Sequence, residues 1–215
     1  MEFDLHTHTM QGSACSRMHV HDLIQAASDK KLTGICITDH DYLWDQEELV
    51  RLNKESGLQI FSGIELSTSV GEVLIYGIHK SLLNLRDDPG SLAQVVKSLG
   101  GVMVAAHPFR SDFGLSTLSR DECGLDPLSS HVLTRRQVFK FVDTVEVYNG
   151  RSSQEEIQMA RRVAGLLGKN GTGGSDAHSI ISVGSCVTVF EQPVNSEADL
   201  VRQLRNGNFQ SKKRS

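Results

Sequence analysis

The chain has 215 residues, 39% of them hydrophobic and 22% charged, with a formal net charge of −4. That length suits one sizeable domain with its own core rather than two, the acidic balance excludes a strongly basic nucleic-acid surface, and no apolar run approaches the roughly 20 residues needed to span a bilayer. The start Met1-Glu2-Phe3-Asp4 has no signal-peptide character, and the four cysteines, Cys15, Cys36, Cys123 and Cys186, include no Cys-x-x-Cys pair; reduced thiols in a soluble cytoplasmic protein are expected, not a zinc ribbon or a disulfide framework.

In chain order, apolar runs predict strands over 3–8, 33–38, 59–65, 73–78, 102–107, 144–148, 171–176 and 186–190. Helical spacing of apolar residues predicts helices over 22–31, 44–56, 92–99, 137–141, 155–167 and 197–205 between them, with capping boxes at Ser91-x-x-Gln94 and Ser153-x-x-Glu156. Strands alternating with helices imply a mostly parallel sheet, and runs apolar on both faces, such as Val102-Met103-Val104-Ala105-Ala106, suit strands covered on both sides. The terminal Lys212-Lys213-Arg214 reads as a solvated, frayed basic tail over 211–215.

The strands share the way they end. His6 and His8 stand two residues apart on the first strand, so their imidazoles leave one face and converge, as two ligands of a transition-metal ion must. Four further strand-like runs stop at Asp39-His40, at Glu65, at His107, and at Asp176 with His178. Structural histidines clustered without purpose would each need separate buried partners, so a shared metal site is the better reading. A barrel gathers the carboxyl ends of all its strands around one site, whereas an open doubly wound sheet gathers only those at its switch point. Five or more contributing strands favour the barrel.

The ordered series His6-Thr7-His8-Thr9, Thr38-Asp39-His40, Gly63-Ile64-Glu65-Leu66-Ser67, Ala106-His107-Pro108, Val145-Glu146-Val147-Tyr148-Asn149-Gly150 and Gly174-Ser175-Asp176-Ala177-His178 resembles the polymerase and histidinol phosphatase (PHP) family, from about residue 3 to about residue 190. The resemblance implies an α/β fold, a distorted (β/α)7 TIM-like barrel filling residues 1–210, with two or three divalent metals at the C-terminal ends of the strands. It also implies phosphoester hydrolysis. Carried over by position, His6, His8, Glu65 and Asp176 hold one metal, Glu65 bridges to a second that also takes His107, and His40 and His178 belong to a third. Glu72 lies where related proteins often place a histidine, and is an expected ligand of the second metal. Where the family supplies an Asp or His five or six residues after the opening pair, this chain has Ser13-Ala14-Cys15-Ser16. Cys15 as thiolate would suit zinc there, yet a free cysteine in such a loop is more often packed, and it is read as packed. Imidazoles and carboxylates suit zinc, manganese or iron alike.

A bridged metal pair activates water to hydroxide and clamps the phosphoryl oxygens, so no nucleophilic serine or cysteine is required. His178, if free of metal, is the candidate acid for the leaving oxygen, and Asp39 is expected to orient His40 or another imidazole. Arg110 and Asn149 are expected to bind substrate, Arg151 to be a surface residue, and Glu146 to be a ligand or a supporting acid. The stretch between Arg110 and Thr134 reads as a lid or a mobile insertion. His19 and His21 read as surface or capping residues, and His79 and His131 as solvated. The substrate expected is a small phosphate monoester or a nucleotide, a short oligonucleotide staying open and the oligomeric state undetermined. Alternatives are an amidohydrolase-like enzyme, which would carry a modified lysine at a strand end, and a PHP module without catalysis that serves as a sensor or structural subunit.

Overall fold

The computed structural model describes residues 1–110, 134 and 136–214. The expected lid over 111–134 and His131 fall almost wholly outside the described residues. In chain order the elements are β1 (Glu2–Thr7), α1 (Val20–Asp29), β2 (Gly34–Ile37), α2 (Gln46–Ser56), β3 (Gln59–Thr68), β4 (Gly71–Tyr76), α3 (Pro89–Ser98), β5 (Val102–Ala105), β6 (Thr144–Asn149), α4 (Gln154–Leu166), β7 (Gly171–Gly174), β8 (Cys186–Phe190), α5 (Glu197–Asn206) and β9 (Phe209–Lys213). The strands form one nine-stranded sheet in the order β7-β6-β5-β4-β3-β2-β1-β8-β9.

The sheet curls into a nearly closed barrel because the end of β7 returns to β1. The Asp176 amide donates to the His6 carbonyl at 2.8 Å, and the His8 amide donates to the Ala177 carbonyl at 3.0 Å. Buried Asp4 pins the same seam, accepting from the Ser175 amide at 2.8 Å and the Gly184 amide at 2.7 Å. Burial outweighs these hydrogen bonds and pushes its carboxyl up to about 6.

The expected mostly parallel sheet is corrected to a mixed one. β1, β2 and β3 run parallel, as do β5, β6 and β7, but β4 is antiparallel to β3 and β5, and β8 is antiparallel to β1 and β9. Thr68 pairs with Gly71, leaving only Ser69 and Val70 between β3 and β4, and a connection that short makes a hairpin, never a parallel crossover. The reversal matters for the site: it sets Glu72, near the start of β4, opposite Ser67, two residues along the same face of β3 from Glu65.

The face of the sheet that carries Glu65 also carries a cluster including Phe3, Leu5, Cys36, Phe61, Leu74 and Tyr76, packed with Leu200 and Leu204 of α5. The opposite face packs on helices: Ile35, Ile37 and Ile60 against α1 and α2, and Ile75, Met103 and Val145 against α3 and α4. Phe3 and Leu5 are odd-numbered and His6 and His8 even, so strict alternation would put the two pairs on opposite faces. The register break between Asp4 and Thr7 supplies the phase slip that lets both face inward.

Local signals account for most helix starts. Ser153 and Glu156 form the predicted capping box, with bonds of 3.2 and 2.9 Å. The box predicted at Ser91 does not form: Asp88 caps α3 by accepting from the Ser91 amide, and Pro89 takes the first turn, where its missing amide costs nothing. The helix predicted over 137–141 is a single 3-10 turn, Gln137–Lys140. The basic run is not frayed either. It lies on and just after β9, paired with β8, where Lys212 bridges to Glu2 at 2.5 Å and Arg214 lies 3.4 Å from Glu2. Among the described residues, no helix is long and apolar enough to cross a membrane.

Gly174 sits where the seam is tightest: a Cβ there would collide with the His6 Cβ and backbone nitrogen. Gly174→Ala should therefore lower stability by about 1–3 kcal/mol through overpacking. Urea denaturation reads this directly, and an unchanged midpoint would contradict the close approach of β7 to β1.

Candidate metal centre

Glu65, buried on the inward face of β3, is the centre of the cluster. Its Oε2 lies 3.3 Å from His6 Nε2, 3.2 Å from His8 Nε2 and 3.2 Å from His40 Nδ1, and its Oε1 lies 2.9 Å from His107 Nε2. Asp176 Oδ1, at the end of β7, lies 3.3 Å from His8 Nε2 and 3.8 Å from His6 Nε2. Glu72 Oε2 stands 3.5 Å from His107 Nε2, and the His178 ring lies 4.5 Å from that of His8, centre to centre. All eight residues expected to be ligands are thus brought together, from the ends of β1, β2, β3, β5 and β7 and the start of β4.

The donors are aimed, as metal ligands are. His6 Nε2 and His8 Nε2 face each other across 3.1 Å, while the other ring nitrogens are engaged behind them: His6 Nδ1 with Glu146 Oε1 at 3.0 Å, and His8 Nδ1 with Ser13 Oγ at 3.2 Å. Bonds of this kind fix the tautomer that leaves Nε2 bearing a lone pair. Glu65 Oε2 is buried and makes no hydrogen bond, although three ring nitrogens surround it. An orphaned carboxylate oxygen among convergent imidazole lone pairs fits a shared divalent cation.

Charge balance in the cluster is set by competition between burial and neighbours. Burial alone would lower the His6 pKa, but the carboxylates of Glu146, Glu65 and Asp176 raise it well above the usual imidazole range, and the adjacent Asp176 and Glu65 carboxylates raise that of His8 against the same burial. Conversely, burial would raise Glu65 and Asp176. The His6 charge and the hydrogen bond from His107 hold Glu65 well below the ordinary carboxylate range, and His6, His8 and Arg110 do the same for Asp176.

Behind the ligands stand residues with orienting roles. Glu146 joins two ligands, bonding His6 Nδ1 and accepting from the His107 amide at 2.8 Å and from Asn149 Nδ2 at 3.0 Å. His107 and Asp176 both have left-handed backbone, with φ of 23° and 53°. Such conformations cost energy in non-glycine residues and persist where surroundings hold them; Glu146 anchors the first and the β1 seam the second. Asp39, expected to orient His40 or another imidazole, makes no direct hydrogen bond to one, its Oδ1 lying 4.0 Å from His8 Nδ1. Its oxygens accept from the Thr9 amide and hydroxyl, from Ser13 Oγ and from Trp44 Nε1, and it reaches His8 through Ser13.

At the rim, Arg110 donates to Asp176 Oδ2 and to Asn149 Oδ1. Arg151 is exposed, as expected, and its Nη1 lies 3.2 Å from His178 Nδ1 and 3.4 Å from Nε2. Cys15, read from the sequence as packed, is exposed, with Sγ 3.1 Å from His178 Nε2. His19 and His21 are exposed at the start of α1, as expected, and His19 offers no side-chain cap. His79 is exposed, as expected, and its Nε2 pairs with Glu197 at 2.9 Å, away from the cluster.

The sequence profile of the PHP domain matches residues 4–168, and that of a PHP-associated segment matches residues 154–209. The chain belongs to the PHP family. An uncharacterized protein of Methanocaldococcus jannaschii is 25% identical over 118 residues, covering 51% of this chain and 68% of that one. Among solved structures, PsfC from Pseudomonas syringae superposes with a TM-score of 0.66 at 20% identity, over 100% of this chain and 91% of its own. A two-domain protein from Bacteroides vulgatus, containing a predicted PHP-like metal-dependent phosphoesterase, gives a TM-score of 0.66 at 17% identity, over 99% of this chain and 64% of its own. These likenesses agree with the barrel, and family membership together with the His, Asp and Glu clusters supports a metal-dependent hydrolase.

Two outcomes follow for metal binding. Because the carboxylates raise the proton affinity of His6 and His8, a cation must displace protons there, so apparent affinity should rise with pH and binding should release protons. Calorimetry in buffers of different ionisation enthalpy tests this, and pH-independent affinity would contradict it. Glu146→Gln, which keeps the side chain's shape but weakens its hold on His6, should cost about 10–100-fold in metal affinity; an affinity equal to the parent's would remove its orienting role.

Proposed function

We propose that this PHP domain is a phosphoesterase that hydrolyses a small phosphate monoester or a nucleotide, using two or three divalent cations drawn from zinc, manganese and iron. The observation that carries this reading is the Glu65 carboxylate, set between His6, His8 and His40 on one oxygen and His107 on the other. His6, His8, Glu65 and Asp176 would hold one cation, Glu65, His107 and Glu72 a second, and His40 with His178 a third. Bound there, the cations would supply Lewis-acid polarisation of phosphoryl oxygens and acidification of water. The bridging position is a carboxylate and not a lysine, which favours the phosphoester over the amidohydrolase-like alternative.

The remaining roles fall to the chain's own side chains. Arg110, only 20% exposed and held on Asp176 and Asn149, has guanidinium donors at the edge of the cluster, where a phosphate can be gripped in bidentate fashion. Asn149, with its amide nitrogen on Glu146, fixes that guanidinium in place. His178 fits a ligand better than an acid, because its Nδ1 bonds the Asp176 carbonyl at 3.0 Å and leaves Nε2 with a lone pair. A net charge of −4 argues for a small substrate over a long nucleic acid. Free thiols at Cys36 and Cys186, both buried, agree with a cytoplasmic setting.

Hydrolysis of a panel of phosphate monoesters, diesters and nucleotides, with each metal added in turn, tests the assignment. Turnover of monoesters or nucleotides that a chelator removes and metal restores is expected; full turnover in chelator would reject the reading. Arg110→Ala should raise KM for the preferred phosphate substrate by about tenfold or more while changing kcat less, as for a contact made in ground and transition states alike. An unchanged KM would discard Arg110 as the phosphate grip.

A further inference from the structure

We propose that Cys15 is a thiolate ligand of the cation held by His40 and His178, and that it makes this position select zinc over manganese. The proposal rests on the reading of the cluster as a metal centre and concerns a residue to which that reading assigns no role. The loop after β1 is built to present this sulfur. Ser13 and Ser16 are buried on either side of it, the Ser16 amide donating to the Ser13 carbonyl at 2.9 Å and the Ser16 hydroxyl to the His8 carbonyl at 3.0 Å. The turn between them leaves Cys15 exposed, with Sγ 3.1 Å from His178 Nε2.

That contact joins two atoms that can both give electron pairs. His178 Nδ1 donates to the Asp176 carbonyl at 3.0 Å, so the lone pair is on Nε2, which faces the sulfur at 3.1 Å and the Arg151 Nη1 donor at 3.4 Å, a contact that a cation would replace. His8, His40 and His178 each offer a ring nitrogen within 4.8 Å of the others. Cys15 Sγ adjoins this group through His178, while the Nε2 of His8 is turned to Glu65 and Asp176 at 3.2 and 3.3 Å. A separate observation points to a cation beside them: Glu65 Oε2, buried and without a hydrogen bond, lies 3.2 Å from His40 Nδ1.

The chemistry of the set decides the ion. With zinc–sulfur bonds of about 2.3 Å and zinc–nitrogen bonds of about 2.0–2.1 Å, tetrahedral ligand atoms lie roughly 3.5 Å apart, so the observed 3.1 Å needs only a few tenths of an ångström of opening. Sulfur and imidazole favour zinc, whereas manganese prefers carboxylate and water. Binding replaces the S–H bond with a sulfur–metal bond and releases one proton to solvent, with no change of oxidation state. Burial, with Glu65 and Asp176, raises the Cys15 pKa against the lowering by Arg151, so the cation itself must displace the proton.

Cobalt(II) titration of the metal-stripped full chain tests this by spectroscopy, independently of turnover. The parent should show a near-ultraviolet sulfur-to-cobalt charge-transfer band that Cys15→Ser abolishes and Cys123→Ser keeps. Cys15→Ser should retain the visible cobalt bands of the remaining positions and bind one equivalent less zinc. Zinc should also protect Cys15 of the parent from alkylation. Visible cobalt bands without a Cys15-dependent charge-transfer band, or equal alkylation with and without zinc, would overturn the thiolate ligand while leaving the metal centre standing. No cobalt binding in the parent would overturn both.

Discussion

A buried carboxylate faced by four imidazoles is the constraint from which the rest of this structure can be understood. Glu65 is 1% exposed, and His6, His8, His40 and His107 reach it from three other strands. Burying that much ionisable surface is expensive unless charges are paired. Without a cation the surrounding carboxylates favour the protonated forms of His6 and His8; with one, the positive charge would belong to the metal and these imidazoles would be free to be neutral ligands. Much of the surrounding architecture serves to hold these groups close: the Asp4 pin at the barrel seam, the glycine at 174 that lets β7 approach His6, and the left-handed backbone at His107 and Asp176.

Orientation is delegated to residues one step back from the cluster. Glu146 handles His6 and the His107 backbone together, so cluster residues from β1 and from the end of β5 share a support. Asp39 works through Ser13, which touches both His8 and the His40 amide, so cluster residues from β1 and from the end of β2 share another. A disturbance at either support would reach two positions at once, which suits a site whose ligands must act in concert.

That these side chains converge was legible from the sequence because strand-end histidines and acids mark where a barrel gathers its chemistry, and the His6-x-His8 spacing implies convergence on any strand. Glu72 needed more, since it begins a strand instead of ending one, and only the two-residue hairpin between β3 and β4 brings it to the rim. The hydrogen bonds of Asp39, Ser13 and Arg151 are tertiary; no local pattern predicts which loop will meet which. The β9 strand was hidden because Lys212 and Lys213 resemble a solvated end, and its order comes from pairing with β8 and from Glu2, more than two hundred residues away in sequence. Cys15 was misread for a similar reason: whether a loop thiol is packed or presented depends on the two serines that fold the turn, not on the cysteine.

The most direct test of the central role of Glu65 is the metal content of the purified chain, with and without Glu65→Gln, after loading with zinc or manganese and removal of free ion. The account predicts at least two equivalents in the parent and a loss of more than one in the variant, because one carboxylate serves neighbouring positions. Loss of a single equivalent or none would show that the imidazoles hold their cations without a shared bridge, and would contradict the account.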